Sequence, residues 1–417
     1  MANSESAIYP TLTFTSIDKI CRQIFISLMQ TLPEGYLVIK ENDAVVAQCG
    51  NSSSDLHAEV NIHSPKTYRK LLFGGSVASG ETYTDGMWSS PELTHVIRLF
   101  ARNLPTLDRW ESRFSWLTFP FDKIMHLKRR NTRDQAKKNI AAHYDLGNTL
   151  YTHFLDKSMM YSSAIYPDAN ASLAEAQQYK LKTICDKLQL NKSDHLVEIG
   201  TGWGGLAVFA AKHYGCKVTT TTISEEQFAY ASEWVKKEGL ENQVTLLKKD
   251  YRLLEGKFSK LVSIEMIEAV GKPYLNQFFT KCASLLKPDG LMLLQSIIID
   301  DRRYDTYQKG VDFIQKHIFP GGFLPSQLTL NDHIKRASDL SIRDLHDIGL
   351  DYATTLRDWF EAFNVARPAL AEHGYDDRFA RMWEYYLKYC EGGFLERTIS
   401  TVQLVLSKPR SEAKMAR

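Results

Sequence analysis

HLVEIGTGWGGLAVFAAKHYG (His195–Gly215) starts as an apolar run, passes through a cluster of glycines, and continues as a helical pattern closed by Gly215. Placing Gly200, Gly202, Gly204 and Gly205 between a strand and a helix lets the backbone turn sharply. It also lets a ligand approach without a Cβ in the way. Downstream, KVTTTTIS (217–224) reads as a second strand, EEQFAYASEWVKKEGL (225–240) as a helix and QVTLLKKD (243–250) as a third strand. KLVSIEMIEAV (260–270) is a fourth strand, and the helix YLNQFFTKCASLL (274–286) leads through a KPDG turn into a fifth, LMLLQSIII (291–299). Strands alternating with helices of this length predict a doubly wound, mainly parallel α/β sheet.

Outward from this core, the first ~105 residues combine an amphipathic helix (IDKICRQIFISLMQTL) with alternating strand-like segments, the pattern of a smaller α+β unit. Residues 106–139 read as a linker, with a basic stretch from Lys123 to Asn139. That stretch suits either a solvated connection or attraction to anionic lipid headgroups, worth about 1 kcal/mol per basic residue near the surface. Residues 140–417 hold the sheet. Within them, about 300–395 is helical and aromatic, a cap over the sheet, and TVQLVLSKP (401–409) returns as an edge strand.

Composition narrows the function. A net charge of +2 gives no reason to expect nucleic-acid binding. Six scattered cysteines without a CxxC pair argue against a zinc ribbon or a disulfide framework and suit a reducing cytoplasm. No metal site is expected. The start, MANSESAIYP, lacks the basic and apolar regions of a signal peptide, and no apolar run reaches the ~18 residues that span a bilayer.

The glycine loop satisfies GxGxxG, so a dinucleotide site and a plain tight turn are both alternatives. An NAD site usually has an acid about 20 residues on, for the ribose. Thr222 and Ser224 stand there, with Glu225 and Glu226 slightly later. The remaining feature is chemical: LVSIEMIEAVG (261–271) places Glu265 and Glu268 among apolar residues at the end of a strand, where carboxylates need partners.

Several blocks, in order, carry a resemblance: AHYDLGNTLYTHFLDKSMMYSSAIYPD, EIGTGWGGLA, TISEEQ, KDYR, SIEMIEAVG, LKPDGLMLLQ, DFIQKHIFPGGFLP, GLDYATTLRDWFEAF and YYLKYCEGGF. Through them the chain resembles cyclopropane fatty acid synthases and the related mycolic acid methyltransferases, over roughly residues 140 to 408. The segment LLFGGSVASGETYTDGMWSSPEL resembles the extra N-terminal domain of the phospholipid-acting members.

The resemblance implies a Rossmann-like class I methyltransferase sheet with a helical substrate cap, S-adenosylmethionine (SAM) as co-substrate, and an unsaturated phospholipid as substrate. It also suggests a homodimer and peripheral contact of a cytoplasmic protein with the inner face of the membrane. By match to family positions, Tyr161 and Ser162 lie near the methionine part of SAM and Gly200 with Gly202 under the cofactor. Thr222 and Gln227 match the ribose segment, and Asp250 with Tyr251 the adenine end. The family's proton acceptor is a bound bicarbonate. Here Glu268, Tyr352 and the backbone of Ile297 match its holders. Gln295 stands where many members have His, and Ser163 where they have Cys. Glu265 has no motif role and is expected to face solvent or a neighbouring helix. Three functions follow from this reading: a cyclopropane synthase, a relative that leaves a methyl branch without closing the ring, or a lipid-binding protein with a degenerate fold.

Overall fold

The computed structural model describes residues 12–114 and 147–414. The basic stretch 123–139 lies outside the described residues. Helix α1 (Ser16–Met29) starts at Thr15, whose hydroxyl accepts from the amide of Asp18. It is followed by β1 (Tyr36–Glu41), β2 (Ala44–Gly50) and β3 (His57–Ile62). Asn42 and Asp43 both take left-handed backbone (φ 43° and 68°) and form the tight β1–β2 turn, a geometry that these residue types tolerate. Helix α2 (Lys66–Thr84) is broken at Gly75 (φ 50°, ψ −138°), and β4 (Trp88–Ser89) completes a sheet of order β2-β1-β3-β4. Then come α3 (Leu93–Arg102) and α4 (Leu104–Phe114). The expected linker therefore begins inside a helix.

The larger half opens with α5 (Asn148–Phe154) and α6 (Leu173–Lys187), the latter started by a capping box between Ser172 and Glu175. The α/β series is β5 (His195–Ile199), α7 (Gly205–Tyr214), β6 (Lys217–Thr222), α8 (Glu225–Lys237), β7 (Val244–Lys248) and β8 (Phe258–Ile264). Next are α9 (Leu275–Leu285), β9 (Leu286–Ile299), α10 (Gln327–Ala337), β10 (Ser341–Asp347), α11 (Gly349–Glu372), α12 (Asp377–Leu395) and β11 (Ile399–Ser407). The seven-stranded sheet runs β10-β11-β9-β8-β5-β6-β7, parallel from β9 to β7, with β11 antiparallel to β9.

Four expectations change. The fourth strand ends at Ile264, because Glu265 turns into left-handed backbone (φ 47°) and Ile267–Ala269 forms a 3-10 turn. β9 starts at Leu286, ahead of the expected KPDG turn, and its pairing with β8 is irregular between Phe258 and Lys260. β11 is interior, since β10, unforeseen, forms the edge. And α10 packs on α9 through Leu330 and Ile334, under the sheet's own core, rather than in the cap.

The cap and the N-terminal part share one apolar core that includes Phe25, Leu37, Val96, Trp359, Trp383 and Tyr385. Polar ties reinforce it. Thr94 donates to buried Glu391 (2.9 Å), and Arg98 and Arg102 both reach Glu396 (2.6 and 2.9 Å). Gly392 of α12 lets α3 come so close that a Cβ there would stand 2.7 Å from Ile97 Cγ2. Gly392→Ala is therefore expected to destabilise the protein by about 1–3 kcal/mol through overpacking, read as a lower thermal midpoint; an unchanged midpoint would refute this close approach.

Candidate active site

Ligands in open α/β sheets collect beyond the carboxyl ends of the strands, where the strand order reverses. Here β5 lies between β6 and β8, and the ends of all three open into a cavity of about 1450 Å³. Gly200 and Gly202 have positive φ (101° and 53°) and form its floor. A Cβ at Gly205 would stand 2.3 Å from the carbonyl oxygen of Ser158, so the segment carrying Tyr161, Ser162 and Ser163 is clamped against the start of α7.

At the glycine end, Thr222 donates to Gln227 Oε1 (2.9 Å) and both line the cavity. Asp250 caps the turn Tyr251–Leu253 by accepting from the amide of Arg252 (2.9 Å), and it also binds that guanidinium (2.6 Å). It lines the cavity as well, so the capping and lining roles coexist. Glu198, buried beneath the loop, accepts from Thr220 (2.6 Å), and burial pushes its carboxyl up to about 8.

Tyr161 shares a hydrogen bond with Tyr386 (2.8 Å) and packs its ring 5.2 Å from that of Trp359. Ser162 accepts from Lys180 Nζ (2.8 Å). Lys180 is wholly buried; desolvation pulls its amine down to about 8, against the opposing charges of Glu265 and Asp156.

The expected catalytic residues do come together, but about Glu265. Its Oε1 accepts from the amide of Ser163 (3.0 Å) and from Gln295 Nε2 (2.8 Å), and its Oε2 accepts from the Tyr352 hydroxyl (2.8 Å). Gln403 of β11 donates to Gln295 Oε1 (3.0 Å), which turns the Gln295 amide nitrogen toward Glu265. Glu268 stands apart with Ile297: its Oε1 accepts from that amide (2.6 Å), while its Oε2 is buried without a hydrogen bond. Burial, then the neighbouring Glu265 charge, pushes Glu268 up to about 8. Glu265 is raised by burial too, against the pull of Gln295, the Ser163 amide, Tyr352 and Lys180. Sequence reading missed Glu265. The available signal was its place as an acid in an apolar run, and the turn that aims it inward is invisible to periodicity.

Residues 131–404 match the family model for mycolic acid cyclopropane synthetase. The chain belongs to that family. It is 38% identical to the cyclopropane-fatty-acyl-phospholipid synthase of Escherichia coli, over 84% of this chain and 88% of that one. It is 37% identical to the tuberculostearic acid methyltransferase of Mycobacterium tuberculosis, over 83% and 82%. Among solved structures, a mycolic acid cyclopropane synthase (CmaA1) complexed with SAH and CTAB matches with TM-score 0.61 and 26% identity, covering 65% of this chain and 98% of that one. The protein is thus a SAM-dependent methyltransferase with a Rossmann-like sheet.

The cavity suits a cationic co-substrate. A positive ligand favours ionised carboxylates, so its binding should release protons from Glu198 and Glu268, both pushed up to about 8. SAM affinity is expected to rise several-fold from pH 6 to pH 9, with about one proton released per ligand, whereas SAH, lacking the sulfonium charge, should respond less. Calorimetry in buffers of differing ionisation enthalpy checks this; equal pH profiles for the two ligands would refute it.

Proposed function

We propose that this chain transfers a methylene unit from SAM to the double bond of an unsaturated phospholipid acyl chain and closes a cyclopropane ring. The observation that carries the reading is the continuity of the cavity. It joins the glycine loop to an apolar arm lined by Ile24, Leu28, Leu72, Phe73 and Leu107 of the N-terminal part. When bound, the co-substrate supplies a methyl group made electrophilic by its sulfonium.

Tyr161, Ser162, Gly200 and Gly202 are the residues suited to hold it at one end, with Thr222, Gln227, Asp250 and Tyr251 at the other. An alkene is a weak nucleophile, so the chain's task is alignment and exclusion of water. Attack leaves a carbocation, which the faces of Tyr161, Phe319 and Tyr386 on the cavity wall can stabilise. Glu268 braces the wall through the Ile297 amide. Bicarbonate fits less well: the Ser163, Gln295 and Tyr352 groups expected near it already serve a side-chain carboxylate.

A second reading, methyl transfer without ring closure, is favoured by the near-equal identity to a relative named as a methyltransferase. Mass spectrometry of lipids after expression in a host lacking the activity separates the two. A gain of one CH2 with loss of the ozonolysable double bond is the expected result. A methyl-branched chain that still ozonolyses would establish the second reading instead.

Substrate access is proposed at a membrane surface. Ile17, Ile20 and Ile24 form an exposed stripe on α1 (59%, 56% and 43% exposed), and Phe73 (52%) stands at the cavity lining with Ile24. Each apolar side chain of this kind is worth ~1.5–3 kcal/mol when buried. Ile20→Asp is expected to raise KM for vesicle-borne substrate roughly tenfold or more, with SAM affinity unchanged; an unaltered KM would remove α1 from the membrane contact.

A further inference from the structure

We propose that the carboxylate of Glu265 is itself the proton acceptor of the reaction, occupying the place of an exchangeable anion; this rests on the lipid methylene transfer proposed above. Its three hydrogen-bond donors come from three separate parts of the chain: the segment before α6, strand β9 and helix α11. All three donate to carboxyl oxygens, and a carboxylate has about four acceptor positions, so one is left for a C–H proton arriving from the cavity. Glu265 lines that cavity beside Met266 and Tyr352.

The two carboxylates differ in their surroundings, and paired acids in unlike surroundings take unlike roles. Glu265 has the donors and faces the cation of Lys180, while Glu268 has one amide donor and an unbonded oxygen. Desolvation raises both. The donors and Lys180 favour the ionised form of Glu265 against the burial that leaves it more basic than an exposed acid, and Glu268, pushed up to about 8, is mainly neutral near pH 7. The groups facing Glu265 are Lys180, Glu268 and Tyr352.

Backbone geometry agrees. Residue 265 holds φ 47°, a region that L side chains other than Asn or Asp visit at a cost of about 1 kcal/mol or more. Glycine would meet that backbone requirement without strain, yet a glutamate is placed there with both carboxylate oxygens engaged.

The step balances. The π pair of the alkene forms the first C–C bond as the S–CH3 bond breaks and leaves its electrons on sulfur. A C–H bond of the transferred carbon then breaks; its proton goes to Glu265, and its electron pair makes the second ring bond. The neutral acid returns the proton to water after product leaves.

The test uses the full chain, SAM and vesicles of unsaturated phospholipid, in carbon-dioxide-free buffer with and without added bicarbonate. Wild-type turnover is expected to be independent of bicarbonate. Glu265→Gln should lower kcat at least 100-fold with SAM affinity within twofold of wild type. Glu265→Gly, which suits the backbone, should fold, bind SAM, and regain at least tenfold of its lost turnover when bicarbonate or formate is added.

Wild-type activity that collapses without bicarbonate would overturn the proposal, as would a smaller loss in Glu265→Gln than in Glu268→Gln. Folded, SAM-binding Glu265→Gly that neither anion rescues would make Glu265 a structural anchor and overturn it too. If the wild type adds no carbon to any acyl chain, the proposed function falls first and this inference with it.

Discussion

Charge buried without partners costs several kcal/mol per ion, and the catalytic half of this chain buries Lys180, Glu198, Glu265 and Glu268 around one cavity. The surrounding elements can be understood as answers to that cost. The Ser158–Ser163 segment is pressed against α7 where Gly205 lacks a Cβ, which brings the Ser163 amide to Glu265 and the Ser162 hydroxyl to Lys180. Helix α11 supplies Tyr352, whose ring stacks 4.6 Å from Phe394 of α12. Two cap helices are thereby tied to the sheet by one carboxylate.

Aromatic rings pack behind the same site. Tyr161, Trp359, Trp383 and Tyr386 pack with ring centroids 5.0–5.2 Å apart at two contacts, and aromatic pairs of this kind each add about 0.5–1.5 kcal/mol beyond their buried area. Because these rings belong to the core that also includes Phe25, Leu37 and Val96 of the N-terminal part, the roof of the site and the N-terminal sheet stand or fall together. The N-terminal part forms a wall of the cavity through Ile24, Leu28 and Phe73.

Local pattern made the strand–helix rhythm and the glycine loop legible, since each is a short-range feature with a fixed period or turn chemistry. β10 was hidden because its side chains are largely exposed and carry Arg343, Asp344 and His346, giving no apolar alternation to read. β11 was mistaken for an edge for the same reason: its neighbour on the outer side could not be seen. Glu265 was misjudged because its three donors lie 102, 30 and 87 residues away in sequence. Motif matching brought Ser163, Gln295 and Tyr352 to one site, and only the left-handed turn after Ile264 decides which carboxylate they meet.

Gln295 gives this network its direction. Its amide receives from Gln403 at one end and gives to Glu265 at the other, so the hydrogen-bond polarity of the chain Gln403–Gln295–Glu265 is fixed. All three side chains sit in the interior or on the cavity wall, where a broken link leaves a polar atom without water to replace it. A single exchange at any one of them therefore strands another. Positions 265, 295 and 403 are thus coupled by their hydrogen bonds, and what occupies one of them sets which end of the Gln295 amide the site receives.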